Sequence, residues 1–97
     1  MKHSTERDRA LVSLLERCAS RDRTALRELF DAESRRMHGI ARRILYRSEL
    51  AEEAVQEAFI QVWQNAHRYD SAKGSPRAWL YTIVRFRAID MLRGHPQ

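Results

Sequence analysis

Residues 49–66 read ELAEEAVQEAFIQVWQNA, and this stretch decides the class of fold. Its apolar residues recur at intervals of three and four, which is the period of a helix with one buried face. On a helical projection they form one broad arc, made of Ala51, Ala54, Val55, Ala58, Phe59, Val62, Trp63 and Ala66. The stretch therefore predicts an amphipathic helix whose apolar face belongs to a core.

The opposite face of this predicted helix is acidic and rich in amides. It consists of Glu53, Gln56, Glu57, Ile60 and Gln64. Glu and Gln on an exposed helix are most often a solvated surface, and a single exposed Ile needs no special explanation. An acidic row with one large aliphatic side chain in its middle is also able to dock a basic partner.

The remainder of the chain continues the helical pattern. No segment shows the alternation of period two that marks a strand, so the predicted fold is all-α, a compact bundle of about four helices. We predict one domain over residues 1–97, with helices over about 5–19, 22–46, 49–66 and 76–93 and a loop at 67–75.

Several residues at the predicted helix starts have side chains suited to capping. Asp22 and Ser48 are predicted N-caps, because their oxygens can accept from the free amides of the next turn. Ser75 is another, and Pro76 follows it at the first helical position, where its missing amide costs nothing.

The predicted second helix has an apolar stripe with two irregularities. The stripe consists of Leu26, Leu29, Phe30, Met37, Ile40, Ala41 and Ile44. Glu33 interrupts it and is expected to pair with an arginine that the sequence does not identify. Gly39 is a weak point, costing about 1 kcal/mol relative to alanine in a helix interior.

Size and composition point to a small folded domain. The chain has 97 residues, 43% of them apolar, which suffices for one core. It has no apolar run of about 18 residues and no secretory leader, so we expect a cytoplasmic protein without a membrane span. Cys18 is the only cysteine, so no internal disulfide forms, and it is expected to be a small buried apolar residue.

Charge is distributed unevenly about a net value of +5. Residues 1–47 hold 12 basic and 7 acidic side chains, residues 48–70 hold 1 and 5, and residues 71–97 hold 5 and 1. The acidic helix thus lies between two basic segments. Basic segments favour a polyanion as partner, and the acidic surface favours a separate basic partner.

The sequence lacks the motifs of an enzyme. The histidines are far apart and none has a Cys, Asp or Glu at metal-ligand spacing, so we predict no metal and no cofactor. Neither a glycine-rich phosphate loop nor a nucleophile motif is present. Glu53 and Glu57 lie one turn apart, but no third ligand or base accompanies them.

The last predicted helix is apolar over a wide arc. Its expected exposed strip consists of Arg77, Tyr81, Arg85 and Ala88. Arginines beside one aromatic ring suit single-stranded nucleic acid. The same residues also suit a structural role, in which Tyr81 and the arginine stems cover the edge of the core.

Two ordered motifs together resemble region 2 of bacterial sigma factors, most of all the small extracytoplasmic-function (ECF) group. The first is an acidic residue, then Gln-Glu, an aromatic and a Trp, standing here as Glu53, Gln56, Glu57, Phe59 and Trp63. The second comprises Tyr69-Asp70, Gly74-Ser75, the RAWLY run at 77–81 and the AIDMLR run at 88–93. The resemblance is strong from about residue 48 to residue 93.

This resemblance implies a non-enzymatic domain of transcription initiation. In the family, region 2 binds a clamp helical hairpin in the largest subunit of core RNA polymerase and holds the unwound promoter minus-ten element by its non-template strand. The implied polymerase-binding residues are Glu53, Gln56, Glu57 and Ile60. The implied DNA-binding residues are Tyr69, Asp70, Ser71, Lys73, Arg77, Tyr81, Arg85, Phe86 and Arg87, with the loop capturing a flipped base.

The sequence departs from the family at two positions. Phe is frequent where Pro76 stands, and an Asn that reads promoter bases is frequent where Phe86 stands, so promoter sequences of relatives do not transfer. Family members also carry a helix-turn-helix domain for the upstream element, and we expect no such domain within these 97 residues.

Two other functions stay open at the level of sequence. One is a helical protein-interaction module without DNA specificity of its own, for example one that binds an anti-sigma factor, which in this family often covers the same faces. The other is a stand-alone helix-turn-helix that binds duplex DNA. The loop at 67–75 is longer than the usual turn of that motif, which disfavours the second alternative.

Overall fold

The computed structural model describes residues 2–94 of the chain, with side chains from residue 6 onward. The helices are α1 (Lys2–Ala19), α2 (Arg23–Ile44), α3 (Ser48–Asn65) and α4 (Pro76–Leu92), with one 3-10 turn after α3 at Ala66–Arg68. No strand is present within this part of the chain, which confirms the all-α bundle. The predicted domain limits reach residue 1 and residues 95–97, which lie outside the described residues.

Two of the predicted caps start their helices. Oδ1 of Asp22 accepts from the amides of Thr24 and Ala25 at 3.0 and 3.3 Å. Oγ of Ser75 accepts from the amide of Ala78 at 3.1 Å, and Pro76 opens α4. Both interactions lie within three residues, so local sequence suffices to specify them.

The predicted cap at Ser48 is wrong. The residue that precedes the helix is Arg47, whose side chain makes no capping hydrogen bond, and Ser48 is already the first helical residue. The first turn depends on charge instead. A backbone amide at this helix start lowers the pKa of Glu49 below its usual value, and Arg47 lowers it further.

The core is shared by all four helices, and α3 and α4 both pack against α2. The fully buried side chains of α2 recur every four residues, at Ala25, Leu29, Glu33, Met37 and Ala41. Cys18 is buried in this core as expected, and burial raises the pKa of its thiol above 9.0. Phe30, predicted in the stripe, lies one position beyond these residues and is 37% exposed.

Trp63 corrects the predicted core of α3. Phe59 and Val62 are buried, but Trp63 is partly exposed. The guanidinium of Arg21 lies 5.0 Å from the centre of its ring, and Nη1 of Arg21 donates to the carbonyl of Trp63 at 2.8 Å. Arg21 lies in the turn after α1 and has a φ of 69°, a left-handed backbone conformation.

Candidate functional surfaces

The acidic face of α3 is largely exposed. Glu53, Gln56 and Gln64 lie at the surface, and Ile60 is 57% exposed, so four neighbouring side chains are available to a partner. Glu57 is only partly exposed because it forms an ion pair with Arg87 of α4. The sequence placed Glu57 and Arg87 on two different binding surfaces, and the fold brings them into contact.

Beside this face runs a groove between α2 and α3. Its lining includes Phe30, Arg35 and His38 from α2 and Glu52 and Gln56 from α3. The ring of Phe30 packs against that of Phe59, with centres 4.9 Å apart. Sequence reasoning missed Phe30 as a surface residue, because its apolar side chain placed it in the predicted stripe.

The loop between α3 and α4 is closed by its own hydrogen bonds. The Tyr69 hydroxyl donates to the carbonyl of Gly74 at 2.9 Å. The carboxylate of Asp70 accepts from the amide of Ala72 at 2.9 Å, and the Asp70 carbonyl accepts from the amide of Lys73 at 2.9 Å. Burial raises the pKa of Tyr69 above its ordinary value of 10.0. The loop is therefore pre-shaped in the free protein.

A pocket lies between this loop and the first half of α4. The tilted rings of Tyr69 and Trp79, with centres 5.5 Å apart, line it together with residues of both signs of charge. Its lining is Arg68, Tyr69, Asp70, Lys73, Gly74, Ser75, Ala78, Trp79, Thr82 and Ile83. The sequence predicted Tyr69, Asp70 and Lys73 of this set as DNA-binding residues, but it did not predict Trp79.

Ser71 is absent from the lining of this pocket. It lines a second groove, against α1, together with Asp8, Arg9 and Glu16. Tyr69 borders both the pocket and this groove, whereas Asp70 and Lys73 line only the pocket.

Arg77 and Tyr81 are held by the buried carboxylate of α2. Nε of Arg77 donates to Oε2 of Glu33 at 3.2 Å, and the Tyr81 hydroxyl donates to Oε1 at 2.7 Å. Glu33 is 1% exposed. Nη1 of Arg36 lies 3.9 Å from Oε2 of Glu33, the oxygen that also binds Arg77. Burial raises the pKa of Tyr81 above 10.0, and the hydrogen bond from its hydroxyl to Glu33 makes a smaller contribution in the same direction. The arginine partner expected for Glu33 is thus Arg77.

The exposed strip predicted for α4 is wrong at Ala88, whereas Arg85 is exposed and Arg77 and Tyr81 are partly exposed. Ala88 is fully buried, together with Leu80 and Val84, because this side of the helix faces the core. The residues of α4 that lie at the surface are Ala78, Thr82, Arg85 and Phe86, followed by Leu92. Arg85 and Phe86 therefore remain accessible, and Phe86 is 62% exposed.

Two other features, a metal site and a membrane-spanning helix, are absent from the described residues. Within 2–94, no group of three His, Cys, Asp or Glu side chains is arranged to hold a metal ion. None of the helices in this part of the chain is both long enough and apolar enough to cross a membrane.

Comparison with known proteins gives a consistent result. The family model for sigma-70 region 2 matches residues 29–96. The ECF RNA polymerase sigma factor SigK of Mycobacterium tuberculosis strain H37Rv is 42% identical over 83 residues, which is 86% of this chain and 44% of that protein. SigK of Mycobacterium ulcerans is 39% identical over 83 residues, and that of Mycobacterium sp. strain KMS 40% over 80. The chain spans less than half the length of these relatives.

Proposed function

The chain belongs to the sigma-70 region 2 family of the ECF type, and on this premise we propose that it acts in transcription initiation. It binds core RNA polymerase through the acidic face of α3. It holds the unwound minus-ten element of a promoter by the non-template strand. Sigma factors of this family are not enzymes, and neither step requires catalysis.

The observation that supports this function most directly is the pocket between the loop and α4. Tyr69 and Trp79 offer aromatic faces on which an unstacked base gains about 1–3 kcal/mol. Lys73 and Arg68 at the same pocket provide positive charge for the adjoining phosphates. Because hydrogen bonds within the loop already fix its shape, little ordering entropy is lost when a base enters.

The acidic face of α3 supports the second half of the proposal. Gln56 and Gln64 lie one helical turn before and after Ile60, an exposed aliphatic side chain, so the face has the apolar centre and polar rim of an interface. A basic helical hairpin of the clamp complements the charge of this face. Phe30, in the groove beside Gln56, extends the apolar part of the surface.

An anti-sigma factor is a further proposed partner. Phe86 and Leu92 are two exposed apolar side chains on the second half of α4. Phe86 stands where the family often has a base-reading Asn, so the position favours an apolar protein contact over hydrogen bonding to DNA. This partner is compatible with the transcription role because it occupies the domain only while transcription is off.

The function is tested by selecting a preferred strand from random single-stranded DNA, with the domain bound to core polymerase. The selected strand, its duplex and a scrambled strand are then compared by fluorescence anisotropy. We expect the selected single strand to bind best, and Tyr69→Ala to abolish that preference. Tighter binding of the duplex, or failure to enrich any sequence, would exclude strand capture and leave the protein-interaction module as the function.

A further inference from the structure

A second groove lies on the opposite flank of α4, away from the base pocket. It runs between α2 and α4 and is lined by Arg36, Gly39, Ile40, Arg43 and Tyr81. Two arginines stand on its α2 side, and the Tyr81 ring, fixed by Glu33, lies on its α4 side. Nothing in the proposed function so far uses this groove.

Gly39 is the least expected of these residues. It lies within α2, where glycine costs about 1 kcal/mol relative to alanine. A Cβ built on Gly39 meets no atom within 4 Å, and its φ is not positive. Neither packing nor backbone conformation therefore requires glycine there. What glycine does provide is a bare stretch of helix that a ligand can approach closely.

The charge of the groove is positive. Within residues 6–94, Arg43 has no ion-pair partner. Arg36 is 3.9 Å from Glu33, whose carboxylate already binds Arg77 and Tyr81. Arg36 and Arg43 are seven residues apart, which on a helix is about 10 Å, so they stand on either side of Gly39. Guanidinium groups spaced in this way suit the oxygens of phosphates.

The position of the groove favours a nucleic-acid strand over an acidic peptide. The exposed surface of α4 beside the pocket carries the small side chains of Ala78 and Thr82, which line the pocket, and is followed by Arg85. A strand whose base occupies the pocket can therefore cross α4 over small side chains. The helix to be crossed is about 10 Å wide. A carboxylate on a flexible peptide side chain can reach an arginine from solvent, so an acidic peptide does not require close approach to the helix backbone at Gly39.

We propose that the promoter strand crosses α4 and that its sugar-phosphate backbone lies in this groove, over Gly39 and between Arg36 and Arg43. This inference rests on the proposed function, since it extends the path of the same strand. The groove adds affinity without reading bases, because its cationic groups contact only phosphates.

The test compares three variants of α2 in complex with core polymerase. Gly39→Ala adds a methyl group where the helix surface is bare, and Arg43→Ala removes a phosphate contact. Arg42→Ala is the matched control, because Arg42 is its exposed neighbour without an ion pair among the described residues and lies outside the groove. Each variant is titrated with the selected strand in a short form that fills only the pocket and in a form extended at both ends.

Gly39→Ala is expected to raise the melting temperature while weakening binding of the extended strand several-fold. Arg43→Ala is expected to reduce the steepness of the salt dependence of the extended strand by about 0.7 in the log-log slope, the value for one phosphate on single-stranded DNA. Neither variant changes the preferred sequence or the binding of the short strand. Arg42→Ala binds both strands as the wild type does.

One outcome would overturn the proposed strand path and leave the proposed function intact. In this outcome the wild type, Gly39→Ala and Arg43→Ala bind the extended strand equally, while Tyr69→Ala still loses the sequence preference. Absence of strand selection by the wild type would overturn both. A polyglutamate peptide serves as the acidic probe. If Arg43→Ala no longer bound this peptide but bound the extended strand as the wild type does, the occupant of the groove would be an acidic protein and not nucleic acid.

Discussion

Glu57 of α3 and Arg87 of α4 form an ion pair across the interface of the two helices. The side chain of Arg87 is 13% exposed and that of Glu57 is 36% exposed, so the arginine depends on this carboxylate for its compensation. Nε of Arg87 lies next to Oε1 of Glu57, so the two charges face each other directly. A substitution of Glu57 therefore affects the stability of the domain as well as the charge of the acidic face.

The first prediction concerns the stability contributed by this ion pair. Glu57→Ala should destabilise the domain by about 1–3 kcal/mol, because a mostly buried guanidinium is left without its partner. Glu53 lies on the same face but is exposed, so Glu53→Ala should change stability by less than about 0.5 kcal/mol. Urea unfolding followed by circular dichroism measures both. Equal stability of the two variants would show that Arg87 finds compensation elsewhere.

The second prediction isolates polymerase docking from stability. Gln56→Lys places a positive charge on the acidic face of α3, and Gln61→Lys makes the same change on an exposed position of the same helix about 100° from Ile60. We expect Gln56→Lys to weaken binding to core polymerase at least tenfold by like-charge repulsion and Gln61→Lys to leave it unchanged. Biolayer interferometry gives both constants. Equal effects would place the docking surface elsewhere.

The third prediction concerns the buried hydroxyl of Tyr81. Because its folded pKa is raised above 10.0, the stability it contributes is present below pH 10 and is lost as the pH rises through the folded value. Tyr81→Phe should remove part of the stability at neutral pH and flatten the decline above pH 10. Cys18 and Tyr69, with raised pKa values of their own, keep some decline in both proteins. Thermal melts between pH 7 and pH 11 make this comparison, and parallel curves would contradict it.

The fourth prediction compares two aromatic residues of α3. Phe59 is buried, so Phe59→Ala should cost about 3–5 kcal/mol. Trp63 is partly exposed beneath Arg21, so Trp63→Ala should cost less, about 2 kcal/mol. Arg21→Ala should also shift the tryptophan fluorescence, because the cation over the ring is removed. A larger loss from Trp63→Ala than from Phe59→Ala would contradict the observed burial.

The sequence by itself determined the features that depend on near neighbours. Four helices follow from apolar residues at helical period, and the starts of α2 and α4 follow from Asp22, Ser75 and Pro76, whose partners lie within three residues. The family could also be recognised from sequence, because its motifs are runs of adjacent residues. Such features need no knowledge of which helices pack together.

Only the tertiary structure decided which side of each helix meets water and which charges are paired. Glu33 binds Arg77, 44 residues away, and α4 has apolar residues on so much of its circumference that its exposed side could not be read from periodicity. The same holds for Phe30, which is exposed at the edge of the core. Contacts between distant residues depend on how four helices pack around one core, and this packing determined whether Arg77 faces Glu33 or solvent.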